Sequence, residues 1–185
     1  MSDNQLEGTP PLNLGITLPN LQSLARSSNQ FTGFIPFTIS KATNLEYLGL
    51  GLNNLTWSVP TLEKLNRLNF LSLTSNHLGS GRTGDLSFLQ SLLNTTDLEI
   101  MALNDNNFGG ILLEFIGNFT WLRIFLLDGN RISGSILNGI ENLVNLERME
   151  LWESQIIVVK IQIIRKHSIL SWQSDEFNFA VFGTK

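Results

Sequence analysis

Leu45-Glu46-Tyr47-Leu48-Gly49-Leu50-Gly51-Leu52-Asn53 is the stretch on which the fold turns. Leucines stand at its first, fourth and sixth places and an asparagine at its ninth. The spacing returns as Leu68, Leu71, Leu73 and Asn76, as Leu98, Met101, Leu103 and Asn106, and as Leu122, Phe125, Leu127 and Asn130. Two copies are worn: Leu21 and Leu24 lead to Arg26 and Asn29, while Leu146, Met149 and Leu151 lead to Ser154. The first leucines lie 24, 23, 30, 24 and 24 residues apart. Apolar residues at a period of two make a short strand with one buried face. One such strand cannot bury its leucines alone, so successive coils stack strand beside strand and share an interior.

The asparagine has a separate task. Its amide holds an acceptor and two donors, which suits buried backbone groups at a turn. Asn29, Asn53, Asn76, Asn106 and Asn130 are therefore expected to form a ladder, weakened where Ser154 replaces the sixth amide. Behind each strand comes an outer half-coil, fullest in Asn29-Gln30-Phe31-Thr32-Gly33-Phe34-Ile35-Pro36. Gly allows a turn that a side chain would strain, and Pro fixes direction without needing a donor. Trp57 stands where this glycine is expected, and Leu113 and Leu137 stand where the proline is expected. The longest copy carries its extra length after Asn76. Gly79-Ser80-Gly81-Arg82-Thr83-Gly84 reads as a loop, with Asp85 as the cap of a short helix that buries Leu86, Leu89 and Leu93. Arg26 occupies a core position. Burying it unpaired is costly, so either the first strand is distorted or the guanidinium reaches out at the amino-terminal end.

The chain has 185 residues, 42% hydrophobic and 15% charged, a composition that folds. A net charge of −4 gives no electrostatic reason to bind nucleic acid. Cysteine is absent, so no disulfide or thiolate metal site can form. His77 and His167 lack metal-ligand spacing, the carboxylates are scattered, and neither a positioned triad nor a nucleophile elbow is present. These readings predict no catalytic residue, no metal and no cofactor. No apolar run is long enough to span a membrane, and the first residues lack a signal-peptide pattern.

With its coils in hand, the chain resembles the ectodomain of plant leucine-rich-repeat receptor-like serine/threonine kinases. Thr17-Leu18-Pro19-Asn20-Leu21, Ser75-Asn76-His77-Leu78-Gly79, Asp85-Leu86-Ser87-Phe88-Leu89 and Ile132-Ser133-Gly134-Ser135-Ile136 are similar to phrases of the subfamily that contains innate-immunity receptors. The resemblance implies an α/β repeat fold: a right-handed leucine-rich-repeat solenoid with a parallel sheet on its concave face and plant-type convex turns. Residues 1–155 are expected to form the stack. In it, 1–18 make a partial first repeat, six repeats follow, and an insertion falls at about 79–92. Residues 156–185 form a non-repeat tail. Ile156 to Ile164 is β-branched and suits one more strand over the open end of the stack, or else the tail is foreign sequence. The resemblance also implies a plasma-membrane parent with extracellular repeats. The kinase signatures (a Gly-rich loop with Val-Ala-Ile-Lys, His-Arg-Asp and Asp-Phe-Gly) are not in this sequence, so the chain is expected to be an ectodomain fragment that binds rather than an enzyme.

In such a stack the concave face is the expected site for a peptide or protein ligand, and a co-receptor is a further partner the resemblance implies. Tyr47, Phe70, Ile100 and Ile124 recur at one place in successive copies and either line an exposed apolar stripe or merely help packing. Ser72, Asn104 and Trp152 share that face. Asp105, Asp128 and Glu150 are either solvated surface charge or an acidic patch for a basic peptide end. Asn54, Asn94 and Asn118 begin sequons and are glycan candidates if the chain is secreted. Other functions stay open: a kinase assignment inherited from a parent gene, a secreted inhibitor of a wall-degrading enzyme, or a degenerate fragment without activity.

Overall fold

A computed structural model describes residues 4–112, 114–135, 139–151, 155–157, 168–173 and 178–183. Short strands alternate along the chain between an outer and an inner layer. The first half runs β1 (Glu7–Gly8), β2 (Ser23–Ala25), β3 (Gln30–Gly33), β4 (Tyr47–Gly49), β5 (Asn54–Trp57), β6 (Phe70–Ser72) and β7 (His77–Leu78). The second runs β8 (Ile100–Ala102), β9 (Gly109–Ile111), β10 (Ile124–Leu126), β11 (Arg131–Ser135), β12 (Arg148–Glu150) and β13 (Gln155–Ile157). It ends in a hairpin of β14 (Ser168–Gln173) and β15 (Asn178–Gly183).

Strands β2, β4, β6, β8, β10 and β12 lie side by side in sequence order and pair in parallel. Between them sit the short α-helix Leu14–Thr17 and 3₁₀ turns such as Phe37–Lys41 and Ser87–Leu92. The apolar residues at the first, fourth and sixth places of the four clear copies, ten leucines with Met101 and Phe125, are all buried in one continuous core. Each buried leucine side chain contributes about 2 kcal/mol relative to exposure. The outer strands form a second layer in two pieces, β1-β3-β5-β7 and β9-β11-β13, and the insertion lies between them.

The ladder amides all bond in the same way. Each asparagine Oδ1 accepts a backbone N–H from the coil before its own: Leu6 for Asn29, Phe31 for Asn53, Leu55 for Asn76, Leu78 for Asn106 and Phe108 for Asn130, at 2.9–3.0 Å. The Nδ2 of Asn76 donates back to Leu50 O and to Leu73 O and Thr74 O of its own coil. Asn53, Asn106 and Asn130 do the equivalent. The residue just before each ladder asparagine is left-handed: Ser28 (φ 54°), Leu52 (54°), Ser75 (50°), Asp105 (53°) and Gly129 (62°). That repeated kink turns each strand into its outer half-coil. Four of the five are not glycine, so composition gives no sign of it.

Several expectations are corrected. Asp85 caps no helix. The turn that follows runs Ser87–Leu92, is preceded by Leu86 without a side-chain cap, and buries Phe88, Leu89 and Leu92. Leu93, expected on the buried face, is only partly buried, because three residues per turn rather than 3.6 shifts the face. The Asp85 carboxylate instead accepts bonds from Ser80 N, Ser80 Oγ and Arg82 N within the insertion, and from Gly109 N on β9. At Arg26 the first strand keeps regular register, Leu24 opposite Leu48 and Ala25 opposite Gly49. The side chain is half-buried and its Nη1 donates to Ala25 O at 3.3 Å. Of the two outcomes posed for Arg26, strand distortion is therefore excluded. The tail divides: β13 pairs in parallel with β11 in the outer layer, whereas β15 adds antiparallel to β12, with Glu150 opposite Ala180. The strand beside the inner sheet is thus 178–183 rather than the β-branched run after Gln155. Most of that run, with Leu113, Leu137, Trp152, Ser154 and His167, lies outside the described residues.

Candidate functional site

Parallel pairing converts repeat positions into lanes across the inner face. The first lane runs Ser23, Tyr47, Phe70, Ile100, Ile124, Arg148, each opposite the next. Tyr47, Phe70, Ile100 and Ile124 are half-buried, so the lane is neither free surface nor sealed core. Tyr47 and Phe70 stack with ring centroids 4.2 Å apart and planes 4° from parallel. Such a pair adds about 1 kcal/mol beyond area burial. The second lane runs Ala25, Gly49, Ser72, Ala102, Leu126, Glu150. Its first four members are small. A Cβ placed on Gly49 would lie 2.7 Å from Tyr47 Cε1, so the missing side chain is what lets the Tyr47 ring lie over the strand. The small lane forms a trough beside the apolar one. Gly49 itself is buried.

Hydrogen-bonded polar groups line one edge of the trough. Thr74 Oγ1 donates to Asn104 Oδ1 at 2.8 Å, and Asn104 Nδ2 and Ser75 Oγ donate to Asp105 Oδ2 at 2.9 and 3.2 Å. Asp128 follows Asn104 in this row and departs from expectation. It is 3% exposed, not solvated, and its Oδ1 has no hydrogen-bond partner. Burial pushes its carboxyl up from 3.8 to about 6, Glu150 and Asp105 push the same way, and its own backbone N–H and Arg148 offset part. Glu150 is engaged by Arg148. Trp152, expected next in the row, and Glu153 lie outside the described residues.

The opposite edge went unread in the sequence. Arg123 bridges Glu99 at 3.2 Å and Glu147 at 2.9 Å on the flanking strands. The available signal was the residue after each first leucine, where Glu46, Glu99 and Glu147 alternate with Asn69 and Arg123. These pairs are exposed and contribute little. The sequon residues Asn54, Asn94 and Asn118 are all exposed and scattered away from the trough, on β5, after the Ser87–Leu92 turn and at the end of the Glu114–Asn118 turn. Among the described residues, no cluster of three or more His, Asp or Glu is placed to hold a metal, and no helix is long and apolar enough to cross a membrane.

One parallel strand per coil, an asparagine rung at each turn and a shared leucine interior define a leucine-rich-repeat solenoid. The Leucine Rich Repeat family profile matches residues 121–143. The chain is similar to plant receptors of this fold. It is 33% identical to Receptor-like protein 41 of Arabidopsis thaliana over 135 residues, which is 72% of this chain and 15% of that protein. Among solved structures, the Arabidopsis receptor kinase HAESA, in complex with the peptide hormone IDA and the co-receptor SERK1, matches with a TM-score of 0.76 at 25% identity. That match covers 84% of this chain and 25% of the receptor chain. The plant peptide hormone receptor RGFR1, in complex with RGF2, matches with a TM-score of 0.64 at 30% identity, over 84% of this chain and 28% of that one. The chain thus spans 15% of the curated relative's length and about a quarter of the solved receptors.

Proposed function

We propose that this chain is a binding module that takes an extended peptide across its inner face, as part of a plant receptor acting in signalling or defence, with the repeats outside the cell and a co-receptor as a further partner. The observation that carries the reading is the half-open lane Tyr47–Phe70–Ile100–Ile124 beside the trough Ala25–Gly49–Ser72–Ala102. Aromatic and aliphatic anchors next to a low, polar-edged channel favour peptide recognition over a flat protein contact. Strands sit about 4.8 Å apart and an extended peptide rises about 3.4 Å per residue, so three ligand residues cover about two coils. The resemblance to receptors solved with peptide hormones supports the same reading, and catalysis is not part of it.

The test is selection of a phage-displayed library of random peptides on the immobilised chain, then titration of the recovered peptides. Recovered peptides should bind Ile100→Glu and Ile124→Glu at least about tenfold more weakly, and Val144→Glu, exposed on a convex-side turn, unchanged. Equal binding to the two lane variants, or no enrichment at all, removes the proposal.

A further inference from the structure

The insertion and the outer strands build a second site on the side of the stack. A cleft of about 560 Å³ opens there, lined by the ladder residues Asn76, Asn106 and Asn130 together with His77, Asn107, Gly129 and Arg131. The ladder amides are consumed by their own rungs. The groups left to meet a ligand are the exposed Arg131 and His77 and the second N–H of the Asn107 amide, whose first bonds Gly79 O. No carboxylate lines the cleft, and Arg131 has no ion pair among the described residues. Two acids stand next to the lining, each already engaged: Asp105 by Ser75 and Asn104 through Oδ2, and Asp85 by Ser80, Arg82 and Gly109.

Arg131 is not left to wander. A Cβ placed on Gly81 would lie 3.0 Å from its Cδ and 3.2 Å from its Nη1, so the guanidinium lies along the insertion backbone. That backbone is itself fastened. Gly81 N donates to Asn107 O at 2.7 Å, Asn107 Nδ2 donates to Gly79 O at 3.3 Å, and Asp85 ties the loop to Gly109 N at 3.0 Å. Gly81 and Gly109 meet so closely that a Cβ on Gly109 would fall 2.1 Å from Gly81 C. The extra residues of the long repeat thus fold over the next coil and hold Arg131, which has no ion pair among the described residues, in a cleft whose lining residues include no acid. Gly129 stands where other coils carry Ser28, Leu52, Ser75 or Asp105, and a Cβ there would lie 2.5 Å from Asp105 Oδ1.

We propose that this lateral cleft is a subsite for the carboxylate of an acidic peptide segment, received by Arg131 with His77 and Asn107 beside it. A guanidinium forks onto a carboxylate through two parallel bonds. No Phe, Tyr or Trp lines the cleft, so a sugar acid would lack a flat apolar platform, which favours a peptide source. The site is separate from the inner trough and stands or falls apart from it.

The test uses the full, isotopically labelled chain and three probes: acetyl-Asp-Asp-Asp-amide, its Asn-Asn-Asn counterpart, and digalacturonate. The acidic tripeptide should give saturable backbone shifts at His77, Asn107 and Gly129 to Arg131 below about 10 mM, weaken by roughly tenfold in Arg131→Gln, and fade with salt. The neutral tripeptide should give none. Because Arg131 and His77 are exposed, Arg131→Gln and His77→Gln keep the fold, and an unchanged spectrum elsewhere verifies it. Absence of saturable shifts, unchanged affinity in Arg131→Gln, or tighter binding of digalacturonate than of the tripeptide would each overturn the proposal. Loss of binding here with the inner-lane variants unaffected separates this site from the trough.

Discussion

Asp85 and Asp128 are both carboxylates drawn in among backbone turns, one in the outer insertion and one on the inner face. Around Asp85 three backbone N–H groups and a hydroxyl converge on the two oxygens. Burial pushes that carboxyl up, yet the bonds from Ser80, Gly109 and Arg82 outweigh it and hold the group below its usual 3.8. Around Asp128 the balance is reversed: Oδ1 has no donor, two acids stand nearby, and the carboxyl rises to about 6. Burial sets the stakes, and the count of donors decides the sign.

The severest way to break the contrast is to create a third case. Asn106→Asp keeps the acceptor that receives Leu78 N but turns a donor amide into a charge facing Leu73 O, Leu103 O and Asn104 O. A loss of about 3 kcal/mol at neutral pH is expected in urea titration, shrinking in acid as the new group protonates. Asp85→Ala should cost about 2 kcal/mol, because Gly109 N and the insertion donors lose their acceptor together. The depressed carboxyl stabilises the fold fully above 3.8 and loses that contribution as pH falls through its lower folded value, so the penalty should fade in acid.

Asp128→Asn should act the other way and raise stability by about 1 kcal/mol at pH 7.5. The raised carboxyl penalises the fold fully above about 6; the penalty shrinks as pH falls from about 6 and is gone only below 3.8, so the thermal gain of the variant should dwindle across that window. The smallest effect is expected from Arg148→Ala. Removing that nearby cation should lift the Asp128 pKa slightly, read from its carboxyl carbon in an NMR titration. A fall instead would mean that freeing Glu150 outweighs losing the cation.

What could be read beforehand followed from period and chemistry. The leucine register gives the inner strands and their parallel order, since one slip would turn the core face outward. Tyr47, Phe70, Ile100 and Ile124 were placed in one lane by that register alone. Asp128 could not be read, because its neighbours in sequence, Leu127 and Gly129, say nothing of how deep a concave row lies. Asp85 was misread because an acid before a helical turn ordinarily suggests a cap, whereas its donors come from five residues back and from the next coil. Trp57 was flagged as an oddity, and in the structure it keeps the left-handed backbone expected of glycine (φ 71°) while 72% exposed. The cleft beside Arg131 was invisible, since its walls come from three coils.

The left-handed residues before the ladder asparagines carry a consequence for how such an array changes over time. Between φ 50° and 62°, Ser75, Asp105 and Gly129 sit in a basin that costs an ordinary side chain roughly 1–2 kcal/mol and a β-branched one more. A drift toward Val or Ile at any of these corners is penalised whatever the ligand, while drift toward Asn or Gly relieves the backbone at Ser75 and Asp105. Diversity at these corners is therefore channelled away from β-branched types by the backbone itself, before any partner exerts selection.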